Sequence, residues 1–467
     1  MGRRPYKRKL APGMVIEGMH PDGRAWGFFS GRKVYLPDSI PGEKADVEVI
    51  YGKEAFLEGR IKQLISPDPL RVAPFCPHFG VCGGCTWQHM SYSRQLELKK
   101  QLLAEALSRK GLPIDTLKDV IPSEPHQYYR NRLEFSFSNL RWFDESEGRI
   151  EDSKDRLAVG FNARGLYGRV VDIRQCYLAN PDFVNIAQKI KQSAIREGLS
   201  FFDFKTGEGR LRSLELRITS LGKKQVLIGF TEMPAQKELK WMQTLANEIL
   251  HVHSWYYLVW HNAFRADYPS DIRYFWGDEF LIEQYNGLTI RYSASGFSQA
   301  NLFLAPQMFR YIGTLVKVGQ GIHVYDLYSG SGVIGLHLAA QGARVTGIEA
   351  HASAVEDARE NARINNLDQC RFFQGDVLTT FTPEFMKAHG RPDVLILDPP
   401  RSGTLKEIIK NIIGSGAPEV VYVSCNPQAL ARDLALLVPH YNISSIQPFD
   451  MFPHTPHLET VALLTRE

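Results

Sequence analysis

The chain has 467 residues, six of them cysteine, and a formal net charge of +4. That length predicts two or three domains with cores of their own. So few cysteines argue against a secreted disulfide framework, and the first residues lack the apolar run of a signal peptide. No window reaches the roughly 18 consecutive apolar residues of a membrane span. We therefore expect a cytoplasmic protein without a membrane partner, and the small net charge does not by itself indicate nucleic-acid binding.

The first segment, residues 13 to 65, consists of short strand-like runs with glycine punctuation and no amphipathic helix. Several strands in about 60 residues are typical of a small barrel of the oligonucleotide-binding kind. We predict such a barrel for residues 1–70. Its strands mix aromatic and basic side chains, as base stacking and phosphate contact require, although any strand with one solvated face can look the same. These residues are Trp26, Phe28, Phe29, Arg32, Lys33 and Tyr35.

Residues 71–290 are predicted to form an α+β unit, because helical and alternating strand patterns are mixed there. The unit begins with "PFCPHFGVCGGCTW", which places Cys76, Cys82 and Cys85 within ten positions. Thiolates grouped in this way are typical of a metal site, and sulfur ligands suit zinc and iron–sulfur clusters equally well. In "YYRNRLEF", Arg130 and Arg132 alternate on one strand face and are candidates for phosphate contact.

Residues 291–467 change character. Apolar strand candidates such as "IHVYDLYSG", "DVLILDPP" and "EVVYVSCNP" alternate with helical stretches. This alternation predicts a doubly wound parallel α/β sheet, in which ligands bind at the carboxyl ends of the strands. The glycine motif, the Asp-Pro-Pro sequence and a cysteine follow these strand candidates, at their carboxyl ends.

A glycine motif follows the first of these strands. "YDLYSGSGVIG" contains Gly330, Gly332 and Gly335 in a G-x-G-x-x-G register, and Glu349 ends the next strand. Such glycines allow close approach of a ligand, and a carboxylate at the second strand holds ribose hydroxyls. The motif alone leaves nicotinamide and S-adenosylmethionine enzymes equally open. Asp326, four residues before Gly330, is similar to the acidic residue of class I S-adenosylmethionine methyltransferases.

Two later strands end in "LDPPRSG" and "VSCNP". The first resembles the D/N-P-P-Y/F box of enzymes that methylate exocyclic amines, but Arg401 replaces the aromatic residue, which points to a different target atom. In the second, Cys425 lies immediately before a predicted helix. A helix N-terminus lowers the pKa of a nearby thiol, so we expect a nucleophile there, with a buried structural cysteine equally open.

A thiolate beside a methyl donor suits one reaction in particular. Addition of a thiolate to C6 of uracil creates an enolate whose C5 can attack an electrophilic methyl group. A base must then remove the C5 proton so that the cysteine is eliminated. Glu459, at the start of the last predicted strand, is a candidate for that base.

Taken together, the motifs resemble the RNA (uracil-5-)-methyltransferases, most closely the iron–sulfur branch that acts on 23S rRNA. "FSQANLFL", "DLYSGSG", "LDPPRSG", "VSCNP" and "HLETVALL" occur in the order of that family. The resemblance covers nearly the whole chain and implies an N-terminal TRAM-like barrel that binds RNA, a central region with an iron–sulfur site, and a C-terminal class I methyltransferase domain.

The resemblance also implies residue roles. Cys425 would be the nucleophile and Glu459 the base, and Ser329 stands where members often have a cysteine. Residues 76, 82 and 85 together with Cys176 would hold a [4Fe-4S] cluster with a structural role. Asp376 has the loosest match, and a helix N-cap role is equally open for it. S-adenosylmethionine would be held by Gln299, Tyr328, Glu349, Asp376 and Asp398.

We thus expect an enzyme that methylates C5 of a uridine in 23S rRNA, with the tRNA-acting relatives as the near alternative. A non-catalytic iron–sulfur RNA-binding protein is a second class, which intact Cys425 and Glu459 disfavour. A nicotinamide oxidoreductase is disfavoured by Asp326 and the Pro-Pro box. The identity of the uridine is not encoded in any motif, because RNA specificity is spread over surface residues. We expect a monomer, although no residue pattern specifies the oligomeric state.

Overall fold

A computed structural model of the protein describes residues 8–50, 57–144, 147, 152–264, 270–317 and 319–466. Its elements follow one another along the chain as a small barrel, a central α+β unit on one seven-stranded sheet, and a second seven-stranded sheet with helices on both faces. Within these ranges, none of the helices has the length and apolar character needed to cross a bilayer.

The predicted N-terminal barrel is confirmed. Five strands close it in the order β1-β2-β3-β5-β4. Alternate residues of each strand point inward, as along β4, where Ala45, Val47 and Val49 are fully buried. The strands are β1 (Arg8–Met19), β2 (Ala25–Phe29), β3 (Arg32–Leu36), β4 (Lys44–Ile50) and β5 (Leu57–Ser66).

The central unit is built on a seven-stranded sheet of order β12-β11-β10-β9-β6-β7-β8, counted over the described residues. The helices α2 and α3 bury apolar stripes in the core that this sheet helps to form. The elements are α1 (Tyr92–Ser108), β6 (Arg132–Ser138), β7 (Ala158–Ala163), β8 (Leu166–Asp172), α2 (Asp182–Arg196), β9 (Leu211–Ile218), β10 (Lys224–Phe230), α3 (Gln236–Glu248), β11 (Ser254–Trp260) and β12 (Ser270–Gly277).

A hairpin and a second seven-stranded sheet complete the described chain. The sheet order is β17-β16-β15-β18-β19-β21-β20. The elements are β13 (Leu281–Tyr285), β14 (Leu288–Tyr292), α4 (Ala305–Leu315), β15 (His323–Leu327), α5 (Val333–Ala339), β16 (Arg344–Glu349), α6 (Ala352–Ile364), β17 (Cys370–Gln374), α7 (Val377–Thr380), α8 (Pro383–His389), β18 (Val394–Leu397), α9 (Lys406–Ser415), β19 (Glu419–Ser424), α10 (Pro427–Leu437), β20 (Tyr441–Phe449) and β21 (Glu459–Arg466).

The second sheet departs from the all-parallel expectation at one edge. Strands β17, β16, β15, β18 and β19 are parallel, but β21 pairs antiparallel with both β19 and β20. A strand that runs antiparallel to its neighbour starts at the edge of the sheet where that neighbour ends. Accordingly Thr460 lies opposite Ser424, which brings Glu459 beside Cys425.

The loop between β20 and β21, residues 450–458, is held by the segment that follows the first three cysteines. Lys99 on α1 forms a fully buried ion pair with Asp450 and donates a hydrogen bond to the carbonyl of Phe452 at 3.0 Å. The carbonyl of His454 accepts hydrogen bonds from the amides of Thr86 and Trp87 at 3.0 and 3.1 Å. The loop that leads to Glu459 is therefore fixed by residues more than 300 positions away in sequence.

We predict that Lys99→Met destabilises the protein, because it leaves Asp450 buried without its cation. Removing one partner of a buried ion pair costs about 3–5 kcal/mol, measurable by urea unfolding followed by tryptophan fluorescence. The matched control is Lys100→Met on the same helix, since the Lys100–Asp119 pair is exposed and should contribute little. Equal stabilities of the two variants would contradict the assigned role of Lys99.

Candidate active site

A cavity of about 560 Å³ opens at the carboxyl ends of β15, β16, β18 and β19. The structure brings together in its wall all seven residues predicted for cofactor binding and catalysis. These are Gln299, Tyr328, Glu349, Asp376, Asp398, Cys425 and Glu459. The same wall includes Asp326, Ser329, Arg401, Phe297 and Phe452.

The glycine motif forms a tight turn between β15 and α5. Gly330 and Gly332 have φ values of +53° and +83°, a region in which a side chain is strained. Asp326 holds the turn, because its Oδ2 accepts a hydrogen bond from the amide of Gly335 at 2.9 Å. A Cβ atom at Gly335 would lie 2.9 Å from that same oxygen, so the third glycine permits this contact.

Glu349 is fixed by two backbone amides. Its Oε2 accepts a hydrogen bond from Gly330 at 3.0 Å and its Oε1 one from His351 at 2.8 Å. Asp376 has the N-cap role considered for it, since it accepts a hydrogen bond from the amide of Leu378 at 2.8 Å at the start of α7. It also lines the cavity, where its contact with a cofactor stays a prediction. A hydrogen bond therefore joins the glycine turn after β15 to the carboxylate of Glu349 at the end of β16.

Two buried polar atoms in this wall have no hydrogen-bond partner among the described residues: Asp326 Oδ1 and Ser329 Oγ. Leaving a buried polar atom unpaired is costly. Both atoms lie where a polar ligand at the carboxyl end of the strands can satisfy them. The wall thus fits an amino-acid and nucleoside ligand such as S-adenosylmethionine.

Five carboxyl groups line the cavity, and the environment of three of them, Asp326, Asp398 and Glu459, favours the protonated form. Burial raises the pKa of Asp326 to about 7 and that of Asp398 to about 7. Glu459 is 4% exposed. Burial first, and then the charge of Asp398, raise the pKa of Glu459 well above its usual value, whereas Arg401 opposes this shift. The cavity therefore holds proton-binding carboxylates close to the thiol.

The expectation of a lowered thiol pKa at Cys425 is wrong for the ligand-free protein. Burial raises the pKa of Cys425 to about 11, and the charges of Glu459 and Asp398 add to the increase. The helix N-terminus does not offset this, because the Asn426 side chain already accepts hydrogen bonds from the amides of Gln428 and Ala429.

Sequence reasoning did not identify Arg401 as a charge partner of Cys425 and Glu459. Its guanidinium hydrogen-bonds to Cys425 and lowers the pKa of that thiol, and its charge lowers the pKa of Glu459. Its carbonyl accepts a hydrogen bond from Asn426 Nδ2 at 2.8 Å, which ties the two strand-end turns together. The sequence feature that could have revealed this role is the cation that immediately follows the Asp-Pro-Pro at the end of β18.

The four cysteines predicted as metal ligands, Cys76, Cys82, Cys85 and Cys176, line a second cavity of about 560 Å³. Burial raises the pKa of Cys82 to about 11 and that of Cys85 to about 12. Within the described ranges, no three His, Cys, Asp or Glu side chains form a group that could hold a metal ion. The thiols thus share a cavity without converging on one point.

The residues singled out for RNA contact lie on two surfaces. On the barrel, Lys33 Nζ lies 3.8 Å from the ring centre of Trp26, and Phe28 is 46% exposed. In the central unit, Arg130 lines the cysteine cavity, and Arg132 forms an ion pair with Glu215. An exposed aromatic ring is thus present on the barrel, and the Arg132 side chain is 39% exposed on the central unit.

Comparison with known proteins gives consistent results along the chain. The family model described as tRNA (Uracil-5-)-methyltransferase matches residues 277–467. A Porphyromonas gingivalis protein named as an uncharacterized RNA methyltransferase is 36% identical, with 97% of this chain and 99% of the relative covered. A Bacteroides thetaiotaomicron protein of the same name is 34% identical, with 96% and 99% covered.

Among solved structures, that of Pyrococcus abyssi tRNA (uracil-54, C5)-methyltransferase in complex with S-adenosyl-L-homocysteine is similar over almost the whole chain. The TM-score is 0.75 at 29% identity, and 97% of this chain and 99% of the other are covered. The similarity therefore extends over the barrel, the central unit and the second sheet.

We predict that iodoacetamide alkylation of Cys425 in the free protein still accelerates between pH 9 and pH 10.5, because its pKa is raised to about 11. Peptide mass spectrometry at this cysteine measures the rate. Glu459→Gln removes a charge that raises the thiol pKa and should increase the rate at pH 9, whereas Arg401→Met should decrease it. Glu419→Gln, at the far end of β19, is the control. A rate that levels off by pH 9 would refute the raised pKa.

Proposed function

The chain belongs to the S-adenosylmethionine-dependent RNA (uracil-5-)-methyltransferases, and from this premise we propose that it methylates C5 of a uridine in 23S rRNA through a covalent bond to Cys425. The observation that supports this most directly is the shared cavity. It joins the cofactor-binding strand ends to Cys425, Arg401 and Glu459.

The first step is addition of the Cys425 sulfur to C6 of the uracil, which pushes electrons onto C5 and O4. The thiol proton must leave before this attack, and Arg401 favours the thiolate by its charge and hydrogen bond. S-adenosylmethionine bound at the strand ends would supply a sulfonium methyl group, which C5 would take as the sulfur–methyl bond breaks and S-adenosylhomocysteine is left. Desolvation of the cavity strengthens the electrostatic effect of Arg401 on these charges.

The second step regenerates the enzyme. Glu459 takes the proton from C5, the electrons of that C–H bond reform the C5–C6 double bond, and the C6–sulfur bond breaks to release Cys425 as thiolate. Glu459 must be ionised to accept the proton. Arg401 supports its ionised form, and the raised pKa makes Glu459 a stronger base than an exposed carboxylate.

Five residues are proposed to hold the methyl donor. The fixed carboxylate of Glu349 suits two ribose hydroxyls, and Asp376, which is exposed at the cavity rim, suits the adenine. The other three line the cavity between these residues and Cys425, where the methionine portion would lie: Gln299, Tyr328 and Asp398. Asp398 also faces the uracil in this arrangement.

The RNA class has a second candidate. The family resemblance of the motifs favours 23S rRNA, whereas the similar Pyrococcus abyssi structure is that of a tRNA (uracil-54, C5)-methyltransferase. The barrel is proposed to act as a TRAM-like RNA-binding domain, supported by the accessible ring of Phe28 and the stacked Trp26 and Lys33. Either substrate is met in the cytoplasm, where we place the enzyme.

For the cysteine cavity we propose a [4Fe-4S] cluster rather than zinc. In such a cluster each cysteine thiolate can bind a different iron, whereas four thiolates on one zinc must all come within about 2.3 Å of a single ion. The resemblance of the motifs to the iron–sulfur branch of the family favours the cluster, and the four thiols line one cavity. Methyl transfer through a thiolate adduct moves no net electrons, so the proposed role is structural.

Incubation with S-adenosylmethionine and RNA that carries 5-fluorouridine tests the reaction, because fluorine at C5 cannot leave as a proton. We predict a protein–RNA adduct that survives denaturing electrophoresis, is abolished by Cys425→Ala and is retained in Cys370→Ala. Parallel reactions with 23S rRNA and tRNA identify the substrate class by yield. An adduct that persists in Cys425→Ala would refute the assigned nucleophile, and no adduct with any RNA would favour a non-catalytic binding protein.

Anaerobic purification followed by iron, sulfide and zinc analysis tests the cluster. We predict about four iron and four sulfide per chain, as the composition of a [4Fe-4S] cluster requires. Cys176→Ala should lower both contents, and Cys370→Ala, which alters a cysteine outside the cavity, should leave them unchanged. One zinc per chain without iron would contradict the cluster.

A further inference from the structure

A smaller cavity of about 190 Å³ adjoins the active site at Cys425 and Arg401. It shares Cys425 and Arg401 with the active-site cavity, but it includes none of the five residues proposed to hold S-adenosylmethionine. We call it the outer cavity. Its remaining wall includes Pro21 from the barrel, Gln428 at the start of α10 and His457 from the β20–β21 loop.

The order of atoms in the pyrimidine ring shows which part of the substrate lies there. C5 must face the methyl donor and C6 must face Cys425, and N1, which carries the ribose, follows C6. In the anti conformation of a pyrimidine nucleoside, the C6 edge lies over the ribose on the side of its 5′ oxygen. The 5′-phosphate is therefore the backbone group nearest to C6 and to the attacking Cys425, and the outer cavity, which Cys425 also lines, lies next to it.

The charges of the outer cavity suit an anion. Its described lining contains Lys99, Arg401 and His457 but no aspartate or glutamate. Desolvation in the cavity wall, and then the cations of Arg401 and Lys99, lower the pKa of His457 to about 4. The imidazole is thus neutral at pH 7 and lies in a positive potential. An ionised phosphate there would be attracted by the guanidinium of Arg401.

Side chains, rather than the backbone amides at the start of α10, are available to contact an anion in the outer cavity. The amides of Gln428 and Ala429 are already bonded to Asn426, and the charge of Lys99 is neutralised by Asp450. Arg401 and His457 are both exposed. A guanidinium and an imidazole N–H are common donors to phosphate oxygens.

We propose, resting on the uridine-methylating function above, that the outer cavity binds the 5′-phosphate of the target nucleotide through Arg401 and His457. A volume of about 190 Å³ suits a phosphate with its linking atoms and is small for a second nucleotide. The contact holds the nucleotide with C6 at Cys425 before the bond forms. His457 thus positions the substrate.

A double-mutant cycle between protein and RNA tests this site. The RNA is a synthetic fragment around the mapped target, with 5-fluorouridine at the target position and either a phosphodiester or an uncharged methylphosphonate at its 5′ linkage. The initial rate of adduct formation is measured at subsaturating RNA with wild-type enzyme and with His457→Ala. We predict that the neutral linkage slows the wild type about tenfold, the size expected for one charge-assisted hydrogen bond.

In His457→Ala the phosphodiester RNA should itself react about tenfold more slowly, and the neutral linkage should cost clearly less than in the wild type. His457→Gln retains an N–H donor and should recover most of the rate, which a loss of folding would not allow. His440→Ala, an exposed histidine beyond the other end of α10, should behave as the wild type.

The outcomes separate this inference from the function on which it rests. Equal penalties for the neutral linkage in wild type and His457→Ala, with normal adduct formation on phosphodiester RNA, would overturn the phosphate site alone. A penalty seen only when the methylphosphonate lies at the 3′ linkage would overturn it in the same way. Failure of the wild type to form an adduct with the phosphodiester RNA would overturn both.

Discussion

The buried ion pair between Lys99 and Asp450 is the constraint on which the active site depends most. Both charged side chains are buried. Loss of either partner would leave the other charge buried and unpaired. One partner lies on α1 and the other begins the β20–β21 loop, so the pair joins the central unit to the loop that ends at Glu459. A catalytic base on an unsupported loop would be free to move away from the thiol.

The antiparallel direction of β21 determines where Glu459 lies relative to Cys425. Because β21 starts where β19 ends, Glu459 and Cys425 meet at the same edge of the sheet. Burying a base beside a thiol raises the proton affinity of both, which suppresses reaction in the empty enzyme. Arg401 opposes both increases, since it lowers the pKa of Cys425 and that of Glu459. In the proposed reaction, this cation would favour the thiolate and the ionised base when a pyrimidine is bound.

Local patterns in the sequence were sufficient to predict which residues lie at the strand ends. The glycine motif with Asp326, and Cys425 before a helix, are each determined within a few residues, and the structure places them as expected. The thiol pKa was not accessible in this way, because it depends on Glu459 from another strand and on amides already bonded to Asn426. The Lys99–Asp450 pair was equally hidden, since its partners are 351 positions apart.

The same long-range contacts connect the cysteine segment to the loop that leads to Glu459. The amides of Thr86 and Trp87, directly after Cys85, hold the carbonyl of His454, whose φ of +66° is strained for a residue with a side chain. Gln95 on α1 accepts a hydrogen bond from the His454 amide at 2.8 Å. Such a conformation persists only where its surroundings enforce it. A group that ties the cysteines together would stiffen the segment that imposes this turn, and so the path to Glu459.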